Sequence, residues 1–235
     1  MSAFPEATGH GSFEEIFPNV FAVWSHFTMA PTIRITRNMI VVREGEDLTL
    51  INGVRLSARG EEELAGLGKV KHLVRIGAFH GIDEPYLLDR YKPTYWKQDG
   101  QRGRIEADQT LAGGNCPIDA SVIELQNTRK PEAALLLPIE GGLMVTCDAI
   151  QNIVDTQHCS AVAKVVTRTL GFVQPAGIAK TWRKAMTKDA PLQDDFRRLY
   201  DQDFRHLITG HGAANRDSAK ADLRGSIKRV FGVEL

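Results

Sequence analysis

The chain has 235 residues, 43% apolar and 25% charged, and its 29 basic and 29 acidic side chains cancel to a formal net charge of zero. That balance removes any global electrostatic case for a nucleic-acid partner or an anionic membrane. The length suffices to bury a sizeable core in one large domain or two small ones.

The leading stretch MSAFPEATGHGSFEEIF has no basic region followed by an apolar run, so it does not read as a signal peptide. No window approaches the roughly 20 apolar residues of a membrane-spanning helix. Cys116, Cys147 and Cys159 are an odd number without CxxC spacing, which argues against a disulfide framework or a zinc ribbon and for a cytoplasmic setting. Residues 21–24 read as an edge strand. Residues 32–36 alternate Thr-Ile-Arg-Ile-Thr, the period of a half-buried strand. Residues 39–42 and 48–51 form a hairpin about the Gly-containing turn at 44–47. A helix follows through Glu61 to Leu67, with Ser57 as its N-cap and Gly66 and Gly68 ending it.

The apolar run from Leu73 to Ile76 is a strand that breaks at Gly77 and delivers His80, Asp83 and Glu84. Pro85 opens a short helix to Tyr91, and Lys92-Pro93 stops it. A brief strand at 94–96 precedes a polar loop over 98–114. Strands follow at 121–125, 133–137 and 143–146, the last ending in Cys147-Asp148. Residues 149–171 read as largely helical. A Pro- and Gly-marked insertion at about 171–203 carries two helices, one with Ile178, Trp182 and Met186, the other with Leu192, Phe196, Leu199 and Tyr200. A strand at 204–209 leads into Gly210-His211-Gly212. The final helix, from Asn215, sets Ala219, Leu223, Ile227 and Val230 on one face. Hairpins among the helices argue for mixed sheets rather than strict βαβ alternation. Gly-x-Gly-x-x-Gly and Walker loops are absent, so no nucleotide is implied.

Three apolar strands thus end in His80, Asp148 and His211, in that order. This resembles the metallo-β-lactamase-fold hydrolases over roughly residues 33–227. The family motif is His-x-His-x-Asp-His after a strand, then a lone His, a Gly-Asp, and a terminal Gly-His. Here His80 falls on the second motif histidine, while Ala78, Ile82 and Asp83 fall on the first histidine, the aspartate and the last histidine. A two-residue shift puts His80 first and Glu84 at the aspartate. Cys147-Asp148 stands for Gly-Asp and Gly210-His211 for the terminal motif. The lone-His position falls near 129–132, which holds no histidine.

The resemblance implies a single domain over residues 1–235, an α/β (α+β) chain folded as an αββα sandwich of two mixed sheets flanked by helices. It also implies a reduced, mononuclear metal site. The metal ligands would be His80, Asp148 and His211, with Asp83 as a fourth, holding one zinc or iron ion that lowers the pKa of bound water. Asp83 or Glu84 would act as catalytic general base on a small-molecule ester, thioester or amide-like substrate. From a different class, the chain would be a non-catalytic relative that binds no metal and serves as a binding module. In that case Arg129 or Lys130 would reach into the ligand space. An iron-dependent oxidoreductase on the same fold would need more histidines.

Each residue also has an ordinary structural reading. His80 could bond a backbone carbonyl, Asp148 could cap a following helix, and Asp83 and Glu84 could be solvated or cap the helix after Pro85. His158-Cys159 reads as a helix face, and Cys147 as a small buried hydrophobe. The insertion would either cover the site or join two copies in a homodimer.

Overall fold

The computed structural model describes residues 4–103, 105–188 and 190–234. The first three residues of the leading stretch, residue 189 of the insertion, and residues 104 and 235 lie outside the described residues.

Polypeptide reversals every few residues fold the N-terminal half into one sheet of seven strands in sequence order. These are β1 (Glu14–Phe17), β2 (Val20–Ala30), β3 (Ile33–Glu44), β4 (Asp47–Ile51), β5 (Lys69–Arg75), β6 (Thr94–Lys97) and β7 (Gln109–Thr110). The first four run antiparallel and β4 to β7 run parallel. Parallel pairs need crossovers. Two of them are α1 (Ala58–Leu67), between β4 and β5, and α2 (Glu84–Tyr91), between β5 and β6.

The second sheet has β8 (Ser121–Glu124), β9 (Ala133–Leu137) and β10 (Leu143–Thr146) as an antiparallel meander. β13 (His206–Thr209) lies parallel to β10. A two-stranded ribbon of β11 (Gln151–Ile153) and β12 (Gln174–Gly177) joins it through a bridge between Asn152 and Gly212. The remaining helices are α3 (Ala161–Thr169), α4 (Lys180–Met186), α5 (Leu192–Tyr200) and α6 (Ala219–Phe231).

The period-two alternation of strand side chains sorts the apolar residues into three layers. Ile40 and Val42 of β3 meet Ile76, Leu135, Leu137 and Val145 between the sheets. Their neighbours Met39 and Val41 turn the other way, onto Leu64 of α1 and Leu87 of α2. On the second sheet Met144 and Leu207 pack against Trp182, Phe196 and Leu223 of α4, α5 and α6. The order is helix, sheet, sheet, helix. Each fully buried Leu, Ile or Val contributes about 1.5–3 kcal/mol, and the inter-sheet layer is what fixes the spacing of the two sheets. No helix of the described residues is long and apolar enough to cross a membrane.

Local boundaries follow the sequence closely in several places. Ser57 Oγ accepts the Gly60 N–H at the start of α1, and the hairpin of β3 and β4 turns at Gly45 with φ +64°. Residues 140–142 all take positive φ in the turn before β10.

Elsewhere the expectation fails. Residues 21–24 lie within β2, which is flanked by β1 and β3 and is therefore an inner strand. The segment 149–171 is helical only in α3. Its first part is β11, because Asn152 is fully engaged by tertiary partners: its backbone N–H reaches His211 O at 3.1 Å and its side chain bonds Ala213 O and Ala176 N. Those bonds outweigh the local preference. His158 lies in the turn before α3 with its ring stacked on Trp24 at 4.2 Å, not on a helix face.

Candidate functional site

His80, Asp148 and His211 reach one point from two sheets. His80 hangs from the loop after β5, Asp148 follows β10, and His211 follows β13, the parallel neighbour of β10. Their ligand atoms all lie within 4.8 Å of one another. His80 Nε2 is 3.3 Å from His211 Nε2, His211 Nε2 is 3.1 Å from Asp148 Oδ1, and His80 Nε2 is 3.8 Å from Asp148 Oδ2. All three side chains are close to fully buried, at 7–11% exposure.

The approach depends on missing side chains. A Cβ on Gly77 would lie 2.2 Å from Cys147 Sγ, and one on Gly210 would lie 3.0 Å from it. Cys147, fully buried, therefore fills the space between the two loops that carry the histidines. Gly212 has φ +94°, and a Cβ there would lie 2.0 Å from Asn152 O.

The protonation states are set by burial and by the ion pair. His211 donates Nδ1–H to Thr36 O at 2.7 Å, which turns Nε2 toward Asp148. Burial opposes charge on His211, but the Asp148 hydrogen bond and charge outweigh it and raise its pKa above the usual value. Burial pushes His80 down to about 4, against the pull of Asp148, so it is neutral at pH 7. Burial works against ionised Asp148, yet the two histidines hold its carboxyl well below the usual range.

A metal fits this donor set. Two imidazole nitrogens and a carboxylate are a recognised zinc or iron combination. A tetrahedral ion with bonds of about 2.05 Å has ligand atoms about 3.3 Å apart. His211 Nε2 lies 3.3 Å from His80 Nε2 and 3.1 Å from Asp148 Oδ1, close to that edge.

Asp83 and Glu84 are not brought into this group. Asp83 pairs with Arg37 and accepts the Arg55 N–H at 2.9 Å, and it makes no capping bond to α2 although it occupies the N-cap position. Glu84 faces Arg75 Nη1 at 3.6 Å. Arg75 also donates to Gly77 O, Ala78 O and Arg102 O. The two acids are buried because they hold the arginines that clamp the His80 loop, so they are neither solvated nor capping. Ile82 is exposed. Arg129 is also exposed, and Lys130 Nζ sits 4.3 Å over the Phe79 ring, while the arginine charges that act on the histidines are Arg37, on both, and Arg75, on His80.

Three residues of the site escaped the sequence reading. Glu132, fully buried where a lone histidine was sought, accepts the Ala149 N–H at 2.7 Å and the Trp182 indole N–H at 3.0 Å. Burial and the Asp148 charge raise its pKa to about 8. Asn38 donates to Thr209 O and Gly212 O, and Asn52 Oδ1 accepts the Ile76 and Gly77 N–H groups. An acid at the head of the apolar run 133–137, directly after Pro131, is the signal the sequence offers for Glu132.

No protein-family model and no curated protein sequence matches the chain. Solved structures do. The metallo-β-lactamase FIM-1 from Pseudomonas aeruginosa in its mono-zinc form superposes with a TM-score of 0.66 at 11% identity, over 96% of this chain and 97% of that one. The DIM-1 metallo-β-lactamase exposed to ceftazidime gives 0.64 at 12%, over 96% and 99%. A metallo-β-lactamase from Erythrobacter litoralis gives 0.62 at 10%, over 96% of each. At such low identity the likeness bears on architecture, and it agrees with the layer order. The chain has the metallo-β-lactamase fold.

Proposed function

We propose that the protein is a metal-dependent hydrolase with one ion held by His80, Asp148 and His211, acting on a small-molecule ester, thioester or amide-like carbonyl. The observation that carries this reading is the convergence of two imidazole nitrogens and a carboxylate oxygen within 4.8 Å of one another, on side chains no more than 11% exposed. The mono-zinc state of a fold relative supports a single zinc, and iron suits the same donors. When bound, the ion supplies Lewis acidity and lowers the pKa of water.

The chain's own groups do the rest. Thr36 O fixes the His211 ring, burial keeps His80 neutral and able to ligate, and Asp148 presents Oδ1 to His211 and Oδ2 to His80 and the Cys147 thiol. Water supplies the oxygen that joins the acyl carbon, the bond to the leaving oxygen, sulfur or nitrogen breaks, and the leaving group takes a proton. Asp83 and Glu84, held by arginines, keep a positioning role in this reading and perform no proton transfer.

The test is elemental analysis of protein purified without chelator or affinity tag, beside the His80→Ala, His211→Ala double variant. Near-stoichiometric zinc or iron in the wild type and none in the folded variant is the expected result. No metal in the wild type, even after zinc or ferrous iron is added, would make the chain a non-catalytic relative that works as a binding module. The vacant ligand positions at Ala78 and Ile82 favour that second reading.

A further inference from the structure

A cavity of about 540 Å³ opens directly over the three site residues, with His80, Asp148 and His211 in its floor. That volume lies within the range that holds small ligands, roughly 300–1,000 Å³. Its walls come from three separate parts of the chain. The ends of β2 and β3 give Phe27, Met29, Ile33 and Ile35. α3 and the turn after it give Val166, Leu170 and Phe172, and α4, from the insertion, gives Trp182 and Ala185.

The charge of the lining is as telling as its apolarity. Among the described lining residues there is no lysine or arginine, and the acids are Asp148 and Asp155. A carboxylate or phosphate placed along the walls, away from the ion proposed for the floor, would lose its hydration, meet Asp155 and find no lysine or arginine among the described lining residues. Several wall residues remain open to water: Met29 is 60% exposed, Leu170 55% and Phe79 48%. Large apolar side chains held in water around a concave surface mark a place where apolar surface is to be covered.

We infer that the cavity is an acyl-binding cleft, and that the substrate is an ester, thioester or lactone-like molecule with an uncharged, medium-length alkyl or aryl acyl group lying along β3, α3 and α4. The acyl group sits in the cleft while its carbonyl reaches the floor. This rests on the hydrolase reading for the chemistry but not for the binding.

Binding is therefore tested first, without turnover. Nile red is bound to the full-length protein and displaced with butan-1-ol, hexan-1-ol, octan-1-ol and decan-1-ol. Affinity is expected to rise by up to about fourfold for each added methylene until the cleft is full. Phe79→Asp and Leu170→Asp, both at exposed positions, are each expected to weaken decanol by tenfold or more. Ile105→Asp, at an exposed apolar residue outside the lining, is expected to leave it unchanged. Affinity independent of chain length, or equal in all variants, would overturn the cleft.

Turnover is then compared for p-nitrophenyl acetate and p-nitrophenyl octanoate. A higher kcat/KM for octanoate that falls in Leu170→Asp supports the assignment. Chain-length-dependent alcohol binding with no ester cleaved would keep the cleft and remove the hydrolase. Acetate turned over as well as octanoate, with no alcohol bound, would do the reverse.

Discussion

His211 has one ring nitrogen committed and one available. Thr36 O takes the Nδ1 proton, so Nε2 alone faces Asp148 and His80. Glu132 works at the same scale from beneath. Its two oxygens hold the Ala149 N–H, next to Asp148, and the indole of Trp182, whose ring lines the cleft. Above about pH 8, where the carboxyl is ionised and both oxygens accept, replacing it by Gln turns one accepting oxygen into a donor that faces another donor, and stability should fall by about 1–3 kcal/mol.

The same carboxyl shapes the response to pH. His211 has a raised folded pKa, so its contribution is complete below 6.5 and is lost as pH rises through the folded value. Glu132 is raised from 4.5 to about 8, so between those values the unfolded chain has released a proton that the folded chain keeps, and stability falls as pH rises. His80 acts in the opposite sense at lower pH. With its folded pKa near 4, the unfolded chain takes up a proton below 6.5 and stability falls as pH drops. Metal-free protein in chelator should therefore lose stability from pH 6.5 to 8, with a shallower slope in Glu132→Gln. Urea midpoints at the two pH values measure it, and equal slopes would remove Glu132 from this account.

At the scale of elements, the site is an agreement between strand ends. β10 and β13 lie parallel, so Asp148 and His211 leave the same edge side by side, and Cys147 fills the gap between the two glycine-bearing loops. Gly77→Ala would press a methyl group on Cys147 Sγ and move the His80 loop. About 1–3 kcal/mol of stability should be lost, together with most of the bound metal. Cys147→Ala in the same chain should restore part of both, read by thermal melting and elemental analysis. Full metal occupancy in Gly77→Ala would show that the loop absorbs the methyl group elsewhere.

This scale also explains what could be read from the sequence. β4, β5, β9, β10 and β13 are apolar runs that announce themselves, and each site residue sits just past one. β11 and β12 are three and four residues long and exist through distant partners, such as Asn152 with Gly212 and Gln151 with Gly177. No local pattern carries that information. Asp83 and Glu84 were read as chemistry because they follow His80. Their arginines, Arg37 and Arg75, lie 46 and 9 positions away, and only the fold shows the pairing.

Across the whole molecule, three apolar layers hold the two sheets at a fixed distance, and the insertion supplies a wall of the cleft through α4. An ion that binds the folded chain alone must stabilise it. Zinc at a hundredfold excess over its dissociation constant should add about 2.7 kcal/mol. Melting with zinc and with chelator measures the gain, and identical curves would mean that no ion binds the folded state.

His80 belongs to the first sheet, while Asp148 and His211 belong to the second. The trio thus works as a caliper whose jaws are the two sheets, set by the packing of Leu135, Val145 and their neighbours. A substitution deep in that packing, touching no ligand, changes the gap between the jaws. Selection for metal affinity would in this way reach residues far from the site that never meet a substrate.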